Sequence, residues 1–166
     1  MSDLKALMRQ APRLTLAVAE SVTCGRLQAR IGAISGASEF FLGGITAYSL
    51  DGKVRHLGVD RAEAESANSV SSRIAEQMAR GACALFGADV GVATTGYAEP
   101  SPRWKVDAPF AWWGLARRMP GGDFAVLSGR VDCPGLGRVE VQERVASAAL
   151  DALVGWVRAP AARYTT

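Results

Sequence analysis

A serine, a tyrosine and a lysine that could together hydrolyse an amide stand at Ser21, Tyr48 and Lys53. Ser21 follows a short apolar stretch and one glutamate, Glu20, and Tyr48 and Lys53 come at and after the end of a second apolar stretch. A serine hydroxyl is a useful nucleophile only when a neighbouring base removes its proton. A lysine can be that base if burial or a nearby cation lowers its pKa toward neutrality. These three residues are therefore the candidate catalytic group.

Each of these residues also has an ordinary structural interpretation. Thr23 directly precedes a helical pattern, where a side-chain oxygen commonly caps the free backbone amides of the first turn. Lys53, in the segment SLDGKVR, could be an exposed loop cation, and Tyr48 could end a strand with its hydroxyl at the sheet edge. The single histidine, His56, lies in the charged run KVRH and is more simply a solvated or packed side chain than a base for Ser21.

The pattern of apolar residues predicts the elements that position these side chains. The segments RLTLAVAE, FFLGGITAYSL and DVGVATTG have the composition of buried strands. The pair Gly43-Gly44 in the second strand indicates a bulge or a close backbone approach. Helices are predicted for the opening residues up to about position 11, for GRLQARIGAI, for a short part of DGKVRHLGV, and for SVSSRIAEQMARGACALFGA.

The second half of the chain adds a hairpin and a long helix. The segments FAWWGLARRM and DFAVLSGRVD are predicted strands joined by the turn Pro120-Gly121-Gly122, which favours antiparallel pairing. The proline-rich YAEPSPRWKVDAP is predicted to be a surface loop, and GRVEVQERVASAALDALVGWVRA a final helix. This order predicts an α/β fold in which helices cover both faces of a mixed sheet. Length and composition predict one domain over residues 1–160 and a tail over 161–166.

Ligands of α/β sheets bind outside the carboxyl ends of the strands. The first predicted strand ends at Glu20 and Ser21, the second near Tyr48, and the third at Thr95 and Gly96. We therefore expect these residues to converge at one edge of the sheet.

Composition limits the class of protein. A formal charge of +3 is too small to require a nucleic-acid or membrane partner. Cys24, Cys83 and Cys133 are odd in number and lack metal-binding spacing, so neither a disulfide framework nor a structural zinc site is expected. The first residues lack a hydrophobic signal region, and no stretch is apolar enough to span a bilayer. We expect a soluble cytoplasmic protein, and, as for many small α/β enzymes, a homo-oligomer.

A non-catalytic module that binds a nucleotide or a protein partner is the alternative. Trp104, Trp112 and Trp113 could stack on bases, because four basic residues accompany them (Arg103, Lys105, Arg117 and Arg118). Consecutive strand residues face opposite sides, so at least one of Trp112 and Trp113 is expected in the core. The sequence contains no motif known to contact DNA, and a nucleic-acid partner is not expected.

Three blocks of the sequence resemble the C-terminal domain of the competence/damage-inducible protein A (CinA) family. They are AESVTCG, the long and specific GASEFFLGGITAYSLDGKVRHLGV, and GADVGVATTGYAEP. The resemblance extends from the first helix to the last. It implies a three-layer α/β/α sandwich with a mixed, mostly parallel sheet. It also implies a nicotinamide-nucleotide amidase, which converts nicotinamide mononucleotide to nicotinic acid mononucleotide and ammonia in pyridine-nucleotide salvage without a metal or organic cofactor.

The resemblance implies a role for each matching residue. Ser21 would attack the carboxamide carbon, Lys53 would take the serine proton, and Tyr48 would relay a proton or hold the lysine. Backbone amides at the helix start around Thr23 would stabilise the oxyanion. The residues expected to bind the nucleotide substrate stand at the strand ends and at small positions: Glu20, Thr23, Gly25, Gly43, Gly44, Thr95 and Gly96.

The sequence departs from the family pattern at three places. Cys24 replaces a glycine of TGG, Leu50 replaces the asparagine of YSN, and the SGIAGP loop reads TTGYAEP, which introduces Glu99. If that loop holds the phosphate, Glu99 would repel the phosphate, although Arg103 and Lys105 could compensate. The chain is therefore interpreted as a diverged relative, and an amide that lacks the phosphate is a second hypothesis for its substrate.

Overall fold

A five-stranded sheet lies at the centre of the protein in the computed structural model, which describes residues 2–159. Its strands are β1 (Leu16–Glu20), β2 (Phe41–Thr46), β3 (Val90–Tyr97), β4 (Phe110–Arg118) and β5 (Phe124–Asp132). The strand order is β2-β1-β3-β4-β5. β1 is parallel to β2 and β3, and β4 is antiparallel to β3 and β5. Only β4 therefore runs against the others, which confirms the predicted mixed, mostly parallel sheet.

Helices pack on both faces of this sheet, as predicted. Within residues 2–159 the α-helices are α1 (Ser2–Arg9), α2 (Arg26–Gly32), α3 (Leu50–Leu57), α4 (Arg61–Ser66), α5 (Ser72–Phe86) and α6 (Arg138–Arg158). The sequence pattern did not predict α4. Short 3-10 helices occupy Ala37–Glu39 and Pro102–Trp104, the second within the segment predicted as a surface loop. None of the described helices is long and apolar enough to cross a membrane.

Alternate side chains of β1 pack against two different layers of helices. Leu16 and Val18 pack with α1, α2 and α6 in one buried cluster. Ala17 and Ala19 pack with α3, α4 and α5 in another. Because successive strand residues face opposite sides, Glu20 points toward the α2 layer and the next residue, Ser21, toward the α3 layer.

Small residues let α5 lie directly on the sheet. A Cβ at Gly91 would stand 2.1 Å from the carbonyl oxygen of Ala79, and one at Gly114 would stand 2.4 Å from the backbone of Ala75. Both distances are far below van der Waals contact, so any larger side chain would force the helix off the sheet. The close packing holds α5 against β3 and β4.

The glycine pair of β2 has the role that its composition predicted. The pairing of β1 with β2 shifts register beside Gly43, where Leu42 has no direct partner. A Cβ at Gly43 would stand 2.8 Å from the Phe86 ring, and one at Gly44 would stand 2.6 Å from the Gln28 side chain. The bulge is thus present, whereas the close neighbours of both glycines are side chains and not backbone. β2 is shorter than predicted and ends at Thr46, because the chain turns there into α3.

The hairpin and the paired tryptophans also follow the sequence pattern. β4 and β5 pair antiparallel, and Gly121 and Gly122 adopt left-handed φ angles of 104° and 98° in the turn between them. Trp112 and Trp113 face opposite sides of β4, and Trp113 packs against the core on the α6 side. These two rings therefore cannot form one stacking surface. The predicted tail, residues 161–166, lies outside the described residues.

Candidate active site

A crevice of about 380 Å³ opens at the carboxyl ends of β1 and β3. Its size lies in the range of about 300–1,000 Å³ that small-molecule sites occupy. The walls come from the strand ends, the start of α3, the segment between α4 and α5, the loop after β3 and the start of α6. The lining residues are Ser21, Val22, Tyr48, Leu50, Lys53, Asn68, Ser69, Val70, Thr95, Gly96, Tyr97, Ala98, Glu99, Pro100, Ser101 and Arg138.

Ser21 and Lys53, which are far apart in the sequence, meet inside this crevice. Lys53 Nζ donates a hydrogen bond to Ser21 Oγ at 3.1 Å and a second to the backbone carbonyl of Tyr48 at 3.0 Å. The exposed fraction is 2% for Lys53 and 7% for Ser21. Burial lowers the pKa of Lys53 to about 8, because desolvation disfavours the charged amine. The interpretation of Lys53 as an exposed loop cation is therefore wrong.

The geometry of α3 explains why Lys53 points inward. Ser49 caps this helix, and its hydroxyl accepts a hydrogen bond from the amide of Gly52 at 3.1 Å. At the other end, Gly58 closes the helix with a left-handed φ of 63°. These two ends fix the helix so that its buried face contains Lys53 and Leu57. Lys53 also stands near the amino end of α3, where the helix dipole disfavours a positive charge.

Tyr48 contacts Lys53 with its backbone and points its phenol elsewhere. Its side chain is 56% exposed, and the phenol oxygen accepts a hydrogen bond from Arg138 Nη2 at 2.8 Å. Tyr48 therefore holds Lys53 through its carbonyl, while the phenol lies toward the mouth of the crevice. Tyr48 thus holds the lysine, which is one of its two implied roles, through the backbone carbonyl and not through the phenol.

Arg138, which the sequence analysis missed, links two walls of the crevice. It is the first residue of α6 and donates both to Tyr48 and to the carboxylate of Glu99. The hydrogen bond with Glu99 raises the pKa of Arg138, which remains charged at all relevant pH values. Local sequence gave no signal for this residue, because it follows Tyr48 by 90 positions.

Glu20 is the cap of α2 and lies on the opposite side of the strand from Ser21. Its fully buried carboxylate accepts hydrogen bonds from the Thr23 hydroxyl at 2.5 Å and from the amides of Gly25, Leu27 and Gln28 at 2.9, 3.1 and 2.8 Å. The expectation that Thr23 caps the helix is wrong, because its hydroxyl donates to Glu20 instead. Glu20 and Thr23, predicted to bind substrate, are occupied in stabilising the α2 start.

The same network uses an amide that was expected to stabilise the oxyanion. The Gly25 N–H points to Glu20, and the next amide, of Arg26, donates to the Thr23 carbonyl at 3.2 Å. Glu20 therefore removes Gly25 as an oxyanion donor. Cys24 is exposed and has a left-handed φ of 48°. Glycine adopts this conformation more readily than other residues do, and the family pattern has glycine at this position.

The remaining predicted binding residues divide into two pairs. Thr95 and Gly96 line the crevice, and the Thr95 hydroxyl donates to the Ser69 carbonyl at 2.7 Å. Gly43 and Gly44 lie within β2, where they pack against side chains of α5 and α2, and they are not among the described residues that line the crevice. The structure thus places the first pair at the candidate site and gives the second pair a packing role.

Two further lining residues have strained backbone. Asn68 and Ser69 adopt left-handed φ angles of 46° and 60°, which cost energy in residues other than glycine. The Asn68 side-chain amide donates to the Tyr97 hydroxyl at 2.7 Å, and Thr95 holds Ser69 from the other side. Such strain is frequent at functional sites, but neither residue stood out in the sequence.

The other candidate chemical groups lie outside the crevice. His56 is exposed on α3, and Trp104 is exposed beside Arg103, whose guanidinium lies 5.2 Å from the ring centre. The three cysteines are free thiols, and burial raises the pKa of Cys83 to about 12. In residues 2–159 no group of three or more potential ligands is arranged to hold a metal ion.

Comparisons with known proteins identify the family. The model of the CinA C-terminal domain matches residues 2–157. A CinA-like protein of Chlorobium limicola is 40% identical over 139 residues, which cover 82% of this chain and 32% of that protein. The chain spans about a third or less of the length of the first curated relatives that it matches. The chain belongs to the CinA C-terminal domain family.

Solved structures agree with this assignment. The competence damage-inducible protein A of Klebsiella pneumoniae is 25% identical with a TM-score of 0.81, and the similarity covers 93% of this chain and 92% of that one. The competence/damage inducible protein CihA of Agrobacterium tumefaciens is 28% identical with a TM-score of 0.75 and a coverage of 92% for both chains. The predicted α/β fold of this family is confirmed.

Proposed function

We propose that this member of the CinA C-terminal domain family is an amidohydrolase with Ser21 as nucleophile and Lys53 as general base. The observation that carries the proposal is the 3.1 Å contact between Lys53 Nζ and Ser21 Oγ in a buried setting. A base works best when its pKa lies near the working pH, and burial lowers the pKa of Lys53 to about 8. The pair thus combines a nucleophile with a base of suitable strength.

The chemistry follows from these two groups and water. Neutral Lys53 takes the Oγ proton as Ser21 attacks the carboxamide carbon, and a tetrahedral intermediate forms. The Lys53 ammonium then gives its proton to the amide nitrogen, the C–N bond breaks, and ammonia leaves an ester on Ser21. Water attacks this ester while Lys53 takes a proton from the water, and Lys53 then returns that proton to Ser21 Oγ as the acyl C–O bond breaks. The products are a carboxylic acid and free Ser21, and the balanced reaction is hydrolysis of one amide.

The substrate class is the carboxamide of nicotinamide mononucleotide or of a related small amide. The family resemblance supports this class, and so does a crevice of about 380 Å³ with many polar side chains. Arg138 and Tyr48 stand at the mouth and would position the part of the substrate remote from the amide. The buried end, with Ser21 and Lys53, would receive the carboxamide.

Ammonia release from nicotinamide mononucleotide and a panel of small amides tests the proposal. Purified protein is expected to release ammonia, and Ser21→Ala is expected to lower kcat/KM by about 10³-fold or more, because no acyl-enzyme can form. Ser66→Ala, on exposed α4, is the matched control and should keep full activity.

Two outcomes would contradict the proposal. Turnover that survives Ser21→Ala would exclude the serine as nucleophile. Binding of a nucleotide with no amide hydrolysis anywhere in the panel would favour the alternative, a non-catalytic nucleotide-binding module.

A further inference from the structure

The mouth of the crevice contains an ion pair that bears on substrate charge. Arg138 donates from Nη1 to the Glu99 carboxylate and from Nη2 to the Tyr48 phenol, so both terminal nitrogens of its guanidinium already make a hydrogen bond. All three residues line the crevice. A phosphate that entered here would meet a cation already bound to a carboxylate, and it would face that carboxylate itself.

The other polar groups of the lining are mostly neutral. The Asn68 amide donates to the Tyr97 hydroxyl, which leaves the phenolic proton and the Asn68 carbonyl oxygen to meet a ligand. Ser101 adds a hydroxyl. Among the described lining residues, Lys53 is the one cation without a carboxylate partner, and it is buried against Ser21. Apart from Lys53 and the Arg138–Glu99 pair, the polar side chains of the described lining are therefore hydroxyls and an amide.

We propose that the natural substrate is an amide without a phosphate group, and that Glu99 is the residue that selects against the phosphate. This inference rests on the proposed amide hydrolysis and names the substrate class of that same crevice. The carboxylate neutralises Arg138 and repels a dianion, while the Asn68–Tyr97 pair offers a donor and an acceptor to a hydroxyl-bearing group such as a ribose. Tyr97 ends β3 and Glu99 follows it, and both lie in the segment TTGYAEP, which departs from the family pattern.

The Arg138–Glu99 ion pair is exposed to solvent, which limits how strongly Glu99 can repel a phosphate. The side chains of Arg138 and Glu99 are 46% and 60% exposed, so water and salt screen their charges. Repulsion between the Glu99 carboxylate and a phosphate at the mouth of the crevice is therefore expected to lower the affinity for the phosphorylated ligand by about tenfold. The effect should appear mainly in KM, because Glu99 lies at the mouth and not at Ser21.

A matched pair of probes tests the inference. Nicotinamide riboside differs from nicotinamide mononucleotide only by the absence of the phosphate. For the wild-type protein, kcat/KM for ammonia release should be at least about tenfold higher with the riboside. Glu99→Gln should lower this preference about tenfold, by lowering KM for the mononucleotide. Glu65→Gln, an equal charge change on exposed α4, should leave the preference unchanged.

The outcomes separate this inference from the proposed function. Hydrolysis that favours the mononucleotide, or a preference that Glu99→Gln does not move, would overturn the selection by Glu99 and leave the amidase proposal intact. If neither amide is hydrolysed, the amidase proposal fails. The assignment of the natural substrate as an amide then fails with it, and dissociation constants of the two probes, measured by calorimetry, decide the selection by Glu99: a preference for the riboside that Glu99→Gln lowers about tenfold supports this selection, and any other result overturns it.

Discussion

Glu20, the last residue of β1, and Ser21, which follows it, belong to two buried polar regions with different numbers of hydrogen bonds. On the α2 side, the Glu20 carboxylate accepts four hydrogen bonds, one from Thr23 and three from backbone amides. On the α3 side, Lys53 is equally buried but donates only to the Ser21 hydroxyl and to one carbonyl. Neither of these two partners carries a charge.

This difference separates a structural group from a reactive one. A buried carboxylate that accepts several hydrogen bonds from backbone amides fixes the backbone around it. A buried amine with neutral partners has lost its hydration without full compensation, so its proton is easily released. The end of β1 thus carries stability on one face and a proton-transfer site on the other.

The largest expected effect is that of Lys53→Met. Methionine fills a similar volume but cannot take the Ser21 proton, so kcat/KM for ammonia release should fall by about 10³-fold or more. At pH 7 the free energy of unfolding should rise by about 1–3 kcal/mol, because the variant removes the cost of burying an amine. Activity assays and urea denaturation measure the two effects.

Lys105→Met is the matched control, since Lys105 is exposed and outside the crevice. It should change neither quantity. A Lys53→Met protein that is less stable than the wild type would mean that the hydrogen bonds of Lys53 outweigh its desolvation, and the contrast between the two faces would fail.

Glu20→Gln should produce the opposite result. The neutral amide cannot serve four donors, and its own N–H groups would face the backbone amides of α2. We expect the free energy of unfolding to fall by about 2–4 kcal/mol. Urea denaturation measures the loss, and Glu65→Gln on the exposed surface should cost less than about 0.5 kcal/mol. An equally stable Glu20→Gln protein would show that the carboxylate does not hold the α2 start.

The sequence pattern was sufficient for the sheet, the helix layers and the meeting of strand ends. Alternation along β1 and the glycine signals at the β2 bulge and the β4–β5 turn are local properties, so composition and spacing could reveal them. The side-chain parity of β1 even places Ser21 on the α3 face.

The environment of the site could not be predicted in the same way. The burial of Lys53 depends on how α3 packs and on the carbonyl of Tyr48, neither of which local sequence encodes. Arg138 reaches the crevice from a helix 90 positions after Tyr48. The cap of α2 was assigned to Thr23 because hydroxyl side chains commonly cap helices, whereas Glu20 reaches the same amides from the end of the strand.

The pH dependence of kcat/KM tests whether Lys53 acts as the base. The base must be neutral to act, and burial lowers the pKa of Lys53 to about 8. Below this value the neutral fraction falls about tenfold per pH unit, so kcat/KM should rise with pH and level off above about 8. An activity profile that is flat from pH 6 to 9 would contradict the role of Lys53 as base.

The same shift predicts how stability depends on pH. The folded pKa of about 8 lies below the ordinary value of 10.5, so between these values the unfolded chain binds more protons at Lys53 than the folded protein does. The free energy of unfolding should therefore gain a rising contribution between pH 8 and 10.5. Below pH 8 the full free-energy cost of burying the charged Lys53 amine is present. Lys53→Met should remove this contribution, while Lys105→Met should retain it.

The smallest expected effect comes from Cys24 and Gly25, in the turn between β1 and α2. Cys24 is exposed and holds a left-handed φ of 48°, and Gly25 follows with a φ of 95° and no neighbour near its missing Cβ. Cys24→Gly should raise the free energy of unfolding by about 0.5–1 kcal/mol, because it removes backbone strain and loses no buried contact. Gly25→Ala should lower it by about 1 kcal/mol for the opposite reason.

Ammonia release by the Cys24→Gly protein distinguishes strain that is only structural from strain that serves the site. Gly25 donates its amide to Glu20, and neither Cys24 nor Gly25 is among the described residues that line the crevice. Activity should therefore stay within about twofold of the wild type while stability rises. A loss of activity in a more stable protein would mean that the strained loop tunes the position of Ser21 across the strand. The two faces of β1 would then be coupled, and the separation of a structural side from a reactive side would have to be given up.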